Sequence, residues 1–145
     1  MALFEKTPWY FWLVVILGLV WFSMGAYDYV MTVTKNETYL SIMTDAQRQW
    51  IEGRPMWFSF AWAISIWSAI VGSLLLVFRR RIAGTWFLVS LVGYLIACIY
   101  SYILSDPGAI EVSGTLGLVM GIMIGVSLLL FVMFSANMSH RGILR

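Results

Sequence analysis

PMWFSFAWAISIWSAIVGSLLLVFRRRIAGTWFLVSLVGYLIACIYSYILS, residues 55–105, decides the fold. Two uncharged runs of 24 residues each, Pro55 to Phe78 and Ile82 to Ser105, flank the triplet Arg79-Arg80-Arg81. About 20 residues of helix cross the hydrocarbon core of a bilayer, so each run is long enough to span it. A connection as short as three arginines makes the two helices antiparallel neighbours. Outward from this pair, Thr7 to Tyr27 and Val112 to Ser139 add uncharged runs of 21 and 28 residues. Lipid also accepts closed barrels, but barrel strands alternate apolar and polar residues over about 10 positions, whereas these runs are apolar all round. The expectation is an all-α integral membrane four-helix bundle.

Composition agrees. Of 145 residues, 61% are hydrophobic and 11% charged, against roughly 25% charged in a soluble domain, so a wet surface cannot be assembled from them. A single domain, 1–145, is expected, with spans at about 8–31, 55–78, 83–105 and 113–138 and an external loop over 32–54. The only cysteine, Cys98, lies within the third run, which rules out a disulfide framework inside one chain.

Lys and Arg resist translocation and so orient the bundle. With both termini inside, Lys6, Arg79, Arg80, Arg81, Arg141 and Arg145 fall on the cytoplasmic side, and Lys35, Arg48 and Arg54 outside. The acidic residues Asp28, Glu37, Asp45, Glu52, Asp106 and Glu111 gather on the outer side. Tryptophans mark both headgroup levels: Trp9, Trp12 and Trp86 within, Trp50 and Trp57 without. The arginine triplet thus has a topogenic role, to which contact with anionic lipid heads is a secondary consequence. In the external loop, Thr44-Asp45-Ala46-Gln47 matches a capping box, and Gly53 and Pro55 bound the short amphipathic helix that follows it.

Small residues recur every four positions. Ser113, Gly117, Gly121 and Gly125 form a stripe on the fourth span, Ala61, Ser65, Ala69 and Ser73 on the second, and Gly93, Ala97 and Ser101 on the third. Such stripes let helices approach closely in lipid. The glycine stripe serves either packing within the bundle or pairing with a copy or another protein. Asp28 is the acidic residue placed closest to a spanning helix. It lies about 30 Å along from Pro8, near the outer headgroups, and reads either as an interfacial carboxylate or as a cation or proton site. Tyr94 and Tyr100, with Cys98, Ser101 and Tyr102, make the third span polar, either as interhelical glue or as part of a polar site.

Catalytic constellations are missing. His140 is the only histidine and sits in the C-terminal tail, so neither a histidine-pair metal site nor a Ser-His-Asp arrangement is available, and no cofactor or enzymatic activity is expected. Asn36-Glu37-Thr38 matches a glycosylation acceptor, which matters only in a secretory pathway.

The motifs Pro8-Trp9-Tyr10-Phe11-Trp12, Trp21, Gly25, Tyr39-Leu40, Pro55-Met56-Trp57 and Gly72-Ser73-Leu74-Leu75-Leu76 before Arg79-Arg80 carry a resemblance over the first two thirds of the chain. The chain resembles a family of small four-helix bacterial inner-membrane proteins without assigned activity, some labelled "sugar transporter". The resemblance implies an inner-membrane location and supplies no binding residues. Midplane charges or amide pairs that hold a polyol are lacking here. The leading expectation is a noncatalytic accessory or structural component whose partners are the bilayer and either a copy of itself or a larger membrane complex, with no nucleic acid. The alternative is an oligomeric transporter of a small solute or ion, with Asp28, Tyr94 and Tyr100 as its polar residues.

Overall fold

The computed structural model describes residues 6–145; residues 1–5 of the expected domain lie outside the described residues. Four long helical segments are apolar enough to cross a membrane: α1 (Trp9–Val33), α4 (Met56–Val77), α5 (Ala83–Ile99) with its continuation to Leu104, and α6 (Ala109–His140). Two short helices, α2 (Glu37–Leu40) and α3 (Asp45–Glu52), fill the connection between α1 and α4. The chain is a polytopic, all-helical membrane protein.

Each boundary has a local cause. Pro8 and Pro55 immediately precede α1 and α4, where a missing N–H costs nothing because the first turn has no acceptor for it. The capping box at α3 is formed in both directions: Thr44 Oγ1 accepts from Gln47 N at 3.2 Å, and Gln47 Oε1 accepts from Thr44 N at 3.0 Å. Helix α2 was not foreseen. Asn36 caps it, its Oδ1 accepting from Tyr39 N at 2.9 Å, so the amide that opens the glycosylation pattern is engaged by its own backbone.

The last span begins at Ala109, ahead of the 113 expected, because Glu111 interrupts an uncharged run without interrupting a helix. A carboxylate in the first turn complements the exposed N–H groups there. Gly114, at φ 65°, kinks α6 one turn later, a conformation that only glycine adopts without penalty. At the outer end of the third span α5 loosens into a π turn, Tyr100–Leu104, closed by Ser105 N donating to Tyr100 O at 2.8 Å.

Helices adjacent in sequence pack as successive pairs, α1 on α4, α4 on α5 and α5 on α6. The tightest contact is between α4 and α5. A Cβ on Gly93 would stand 3.0 Å from the Ala61 carbonyl oxygen and 3.1 Å from Ser65 N, so the two backbones touch there. Beside it Ser90 Oγ donates to Ser65 O at 2.5 Å, and Ser73 Oγ donates to Ala69 O at 2.8 Å. These buried hydroxyls are satisfied, as lipid requires.

Helices α1 and α6 meet through large rings instead of backbones. Phe11 stacks on Phe134 at 5.8 Å between centroids, Phe22 meets Phe131 edge-on at 5.2 Å, and Phe131 covers Gly18. These rings join α1 to α6 and hold their backbones apart.

Both described ends of the chain gather where the arginines lie. Arg79 Nη1 donates to Thr7 Oγ1 at 2.7 Å, and Arg141 donates to the Tyr10 hydroxyl. The tail pairs with the arginine loop: Arg81 N donates to Arg145 O at 3.0 Å, Arg145 N to Arg79 O at 2.6 Å, and Arg81 Nε to Leu144 O at 3.0 Å. Ile143 and Leu144 are thereby buried under the bundle. Two of the three arginines assigned a topogenic role thus also hold the tail, while Arg80 is exposed.

Candidate functional site

Small side chains on four helices leave space in the outer half of the bundle. Gly25 of α1, Ser65 and Ala69 of α4, Ser90 and Ala97 of α5, and Gly121 of α6 line one cavity of about 1060 Å³. Phe22 and Leu128 border it at the level where Trp21 Nε1 donates to Ser127 Oγ at 3.1 Å and ties α1 to α6. Asp28, Tyr27 and Tyr39 line it toward the outer side, and Tyr39 comes from α2. The short loop helix therefore contributes a wall.

The polar groups on this lining differ in what they have left to offer. Ser90 is bonded to Ser65, Ser101 Oγ donates to Ala97 O at 3.0 Å, and the Tyr94 hydroxyl donates to the Gly121 carbonyl. Those groups are engaged within the protein. Asp28 is bound through one oxygen, Oδ1, which accepts from the Tyr39 hydroxyl. Burial and that carboxylate together push the Tyr39 phenol above its ordinary range.

Behind the wall sits Arg54. Its guanidinium lies 5.4, 5.0 and 4.8 Å from the ring centroids of Trp50, Phe58 and Trp62, and its Nε donates to Ile51 O at 3.2 Å. Burial among the rings pushes this guanidinium down to about 10, against the opposing pull of Asp28. Three aromatic faces offset part of the desolvation by cation–π attraction. Arg48 Nε donates to Leu40 O at 2.8 Å and fastens α3 to α2, so the outer segment forms one braced unit.

Of the polar residues singled out in sequence, Asp28 and Tyr94 line this cavity and Tyr100 does not. Tyr100 packs among Trp50, Trp57 and Phe58. The small-residue positions also divide. Ala61, Ser65, Ala69, Gly93 and Ala97 are buried. Gly121 and Gly125 receive tyrosines rather than another helix backbone: Tyr102 Oη would be 2.5 Å from a Cβ on Gly121, and Tyr94 Cε1 3.0 Å from one on Gly125. Gly117 has only Ser113 of its own helix within reach.

Cys98, Ser101 and Tyr102, grouped with Tyr94 in sequence, line the cavity too, whereas Tyr39 and Trp62 were not singled out as cavity residues. The signal for Tyr39 was its place in a capped turn close after α1; nothing local marks Trp62. A second, wholly apolar groove of about 580 Å³ runs along the opposite side of α4 and α5, between Trp57, Ile64, Val92 and Ile96. No protein-family model matches the chain, and neither a curated protein nor a solved structure matches it.

Proposed function

We propose that this membrane protein is a noncatalytic component that binds a small, largely apolar molecule within the bilayer and works beside a copy of itself or a larger membrane partner. The observation that carries the reading is the cavity of about 1060 Å³ between the four spans, at the upper end of the range for small-molecule sites. Its mostly apolar lining and single carboxylate suit a molecule recognised mainly by shape and apolar contact. Of the two expectations from sequence, an inert structural piece has no use for such a space, and a solute-handling protein does. A bacterial inner membrane, implied by the sequence resemblance, is its proposed location.

The partner side of the reading rests on α6. Leu116, Val119, Met120, Ile122 and Met123 are exposed on a helix whose most apolar window is only 6% buried, and Gly117 leaves a gap that no neighbouring helix fills. Extraction of the full chain in mild detergent, with mass measurement of the particle and mass spectrometry of co-purified small molecules, tests both parts. The expected result is a particle heavier than a monomer that retains an apolar molecule, with Gly117→Leu reducing the mass and leaving the small molecule in place. A monomer devoid of bound molecules would overturn the proposal.

A further inference from the structure

We infer that the occupant of this cavity is a lipophilic organic monocation, with the Asp28 carboxylate as its counter-charge and the surrounding rings as its wall. The inference rests on the binding role proposed above and specifies its ligand class.

The first argument is the inventory of unmet polarity. The hydroxyls of Ser90, Tyr94 and Ser101 on the lining are bonded to carbonyls of the bundle, and most of the remaining lining is apolar, so a sugar or an amino acid entering the cavity would lose water and find few partners. Polar groups buried without partners are costly, so this mostly apolar lining disfavours polar neutral solutes. Asp28 differs: among the described residues its one hydrogen-bond partner is Tyr39, on Oδ1, which leaves Oδ2 for a ligand. A carboxylate at the edge of an apolar space is stabilised by a cation that brings little hydration of its own.

The second argument is the position of the protein's own cation. Arg54 senses Asp28, yet its guanidinium is held among Trp50, Phe58 and Trp62 and does not line the cavity. The carboxylate thus faces the space without an arginine occupying it. The third argument is the wall. Tyr27 and Tyr39 stand edge to face at 5.9 Å beside Asp28 and line the space, an aromatic border suited to a positive charge. One carboxylate sets the valence at one. Gly25, three residues before Asp28 on the same helix, keeps the approach open: a Cβ there would meet nothing closer than Ile66 Cδ1 at 3.9 Å.

The test uses the purified full chain in lipid nanodiscs and three probes of similar shape: tetraphenylphosphonium, the neutral tetraphenylmethane and the anion tetraphenylborate. Saturable binding is read by equilibrium dialysis. The wild-type protein should bind the cation at least about tenfold more tightly than the neutral probe and bind the anion worst. Asp28→Asn should erase that preference, Asp28→Glu should keep it, and Gly25→Leu, which fills the space without touching the carboxylate, should weaken cation and neutral probe alike. Equal binding of cation and neutral probe by the wild type, or a preference that survives Asp28→Asn, overturns the cation inference and leaves the binding role standing. Failure of all three probes to bind saturably to protein with native near-ultraviolet dichroism overturns both.

Discussion

Replacing Gly93 with alanine tests whether α4 and α5 touch through their backbones. The new Cβ would sit 3.0 Å from Ala61 O, 3.1 Å from Ser65 N and 3.4 Å from Ser65 Cα, all main-chain atoms of a neighbouring helix that no rotamer change can move. Restoring ordinary contact requires the helices to separate by about 0.4 Å, a gap that forfeits part of the dispersion energy along the seam. Overpacking of this kind costs about 1–3 kcal/mol, against which alanine's helix propensity returns up to about 1 kcal/mol. The Ser90 to Ser65 bond, now 2.5 Å, tolerates the movement, so it does not add to the loss. The expected net destabilisation is about 1 kcal/mol, the middle of the range of about 0–2 left after that return. Reversible unfolding in mixed micelles with increasing dodecyl sulfate measures it, with Gly25→Ala as the control, since its Cβ meets only Ile66 Cδ1 at 3.9 Å and should not lower stability. If Gly93→Ala proves more stable than the wild type, as the helix propensity alone would make it, the close α4–α5 contact and the packing argument built on it are wrong.

Other consequences are equally open to measurement. Thr44→Ala removes one half of the capping box and should destabilise α3 by about 1 kcal/mol, seen as faster amide hydrogen exchange over Asp45–Glu52 with the long helices unaffected. Leu144→Ala should cost about 2–3 kcal/mol because that side chain is fully buried, a loss read as an earlier thermal transition. Tyr39 has its pKa raised by burial and then by Asp28, so the protonated phenol supports the fold. That support is complete below the unfolded value of about 10 and fades as pH rises through the folded one. Carbon-13 resonances of the tyrosine Cζ atoms, assigned with Tyr39→Phe, should show Tyr39 titrating late in the wild type and earlier in Asp28→Asn. Trp21→Phe removes the bond to Ser127 and should cost about 0.6 kcal/mol in the same micelle assay.

Much of the architecture was written in runs and punctuation. Arg79-Arg80-Arg81 between two apolar stretches fixed an antiparallel pair, and Pro8, Thr44 and Pro55 marked helix starts because each acts through atoms only a few residues away. The cavity was far less legible. Small residues at spacing four announce that a helix can be approached, without saying whether a backbone or a ring approaches. Gly93 received a backbone, and Gly121 and Gly125 received tyrosines. Asp28 was visible as an unusual charge, but its partner Tyr39 lies beyond the end of α1, and the pairing depends on how the Thr34–Asn36 connection folds back. Tyr100 was grouped with Tyr94 by proximity in the chain, and the helix turned it toward Trp50 and Phe58 instead.

In uniform α-helix, Tyr102 would point about 80° away from Tyr94, eight residues earlier. The π turn at Tyr100–Leu104 advances less per residue, and both phenols reach Gly121. A π turn is what a helix makes of a single inserted residue when the segments on either side are already anchored. Removing Ile103 would therefore restore regular hydrogen bonding while swinging Tyr102 off α6. The shortened chain would keep the four spans and have a differently furnished interior.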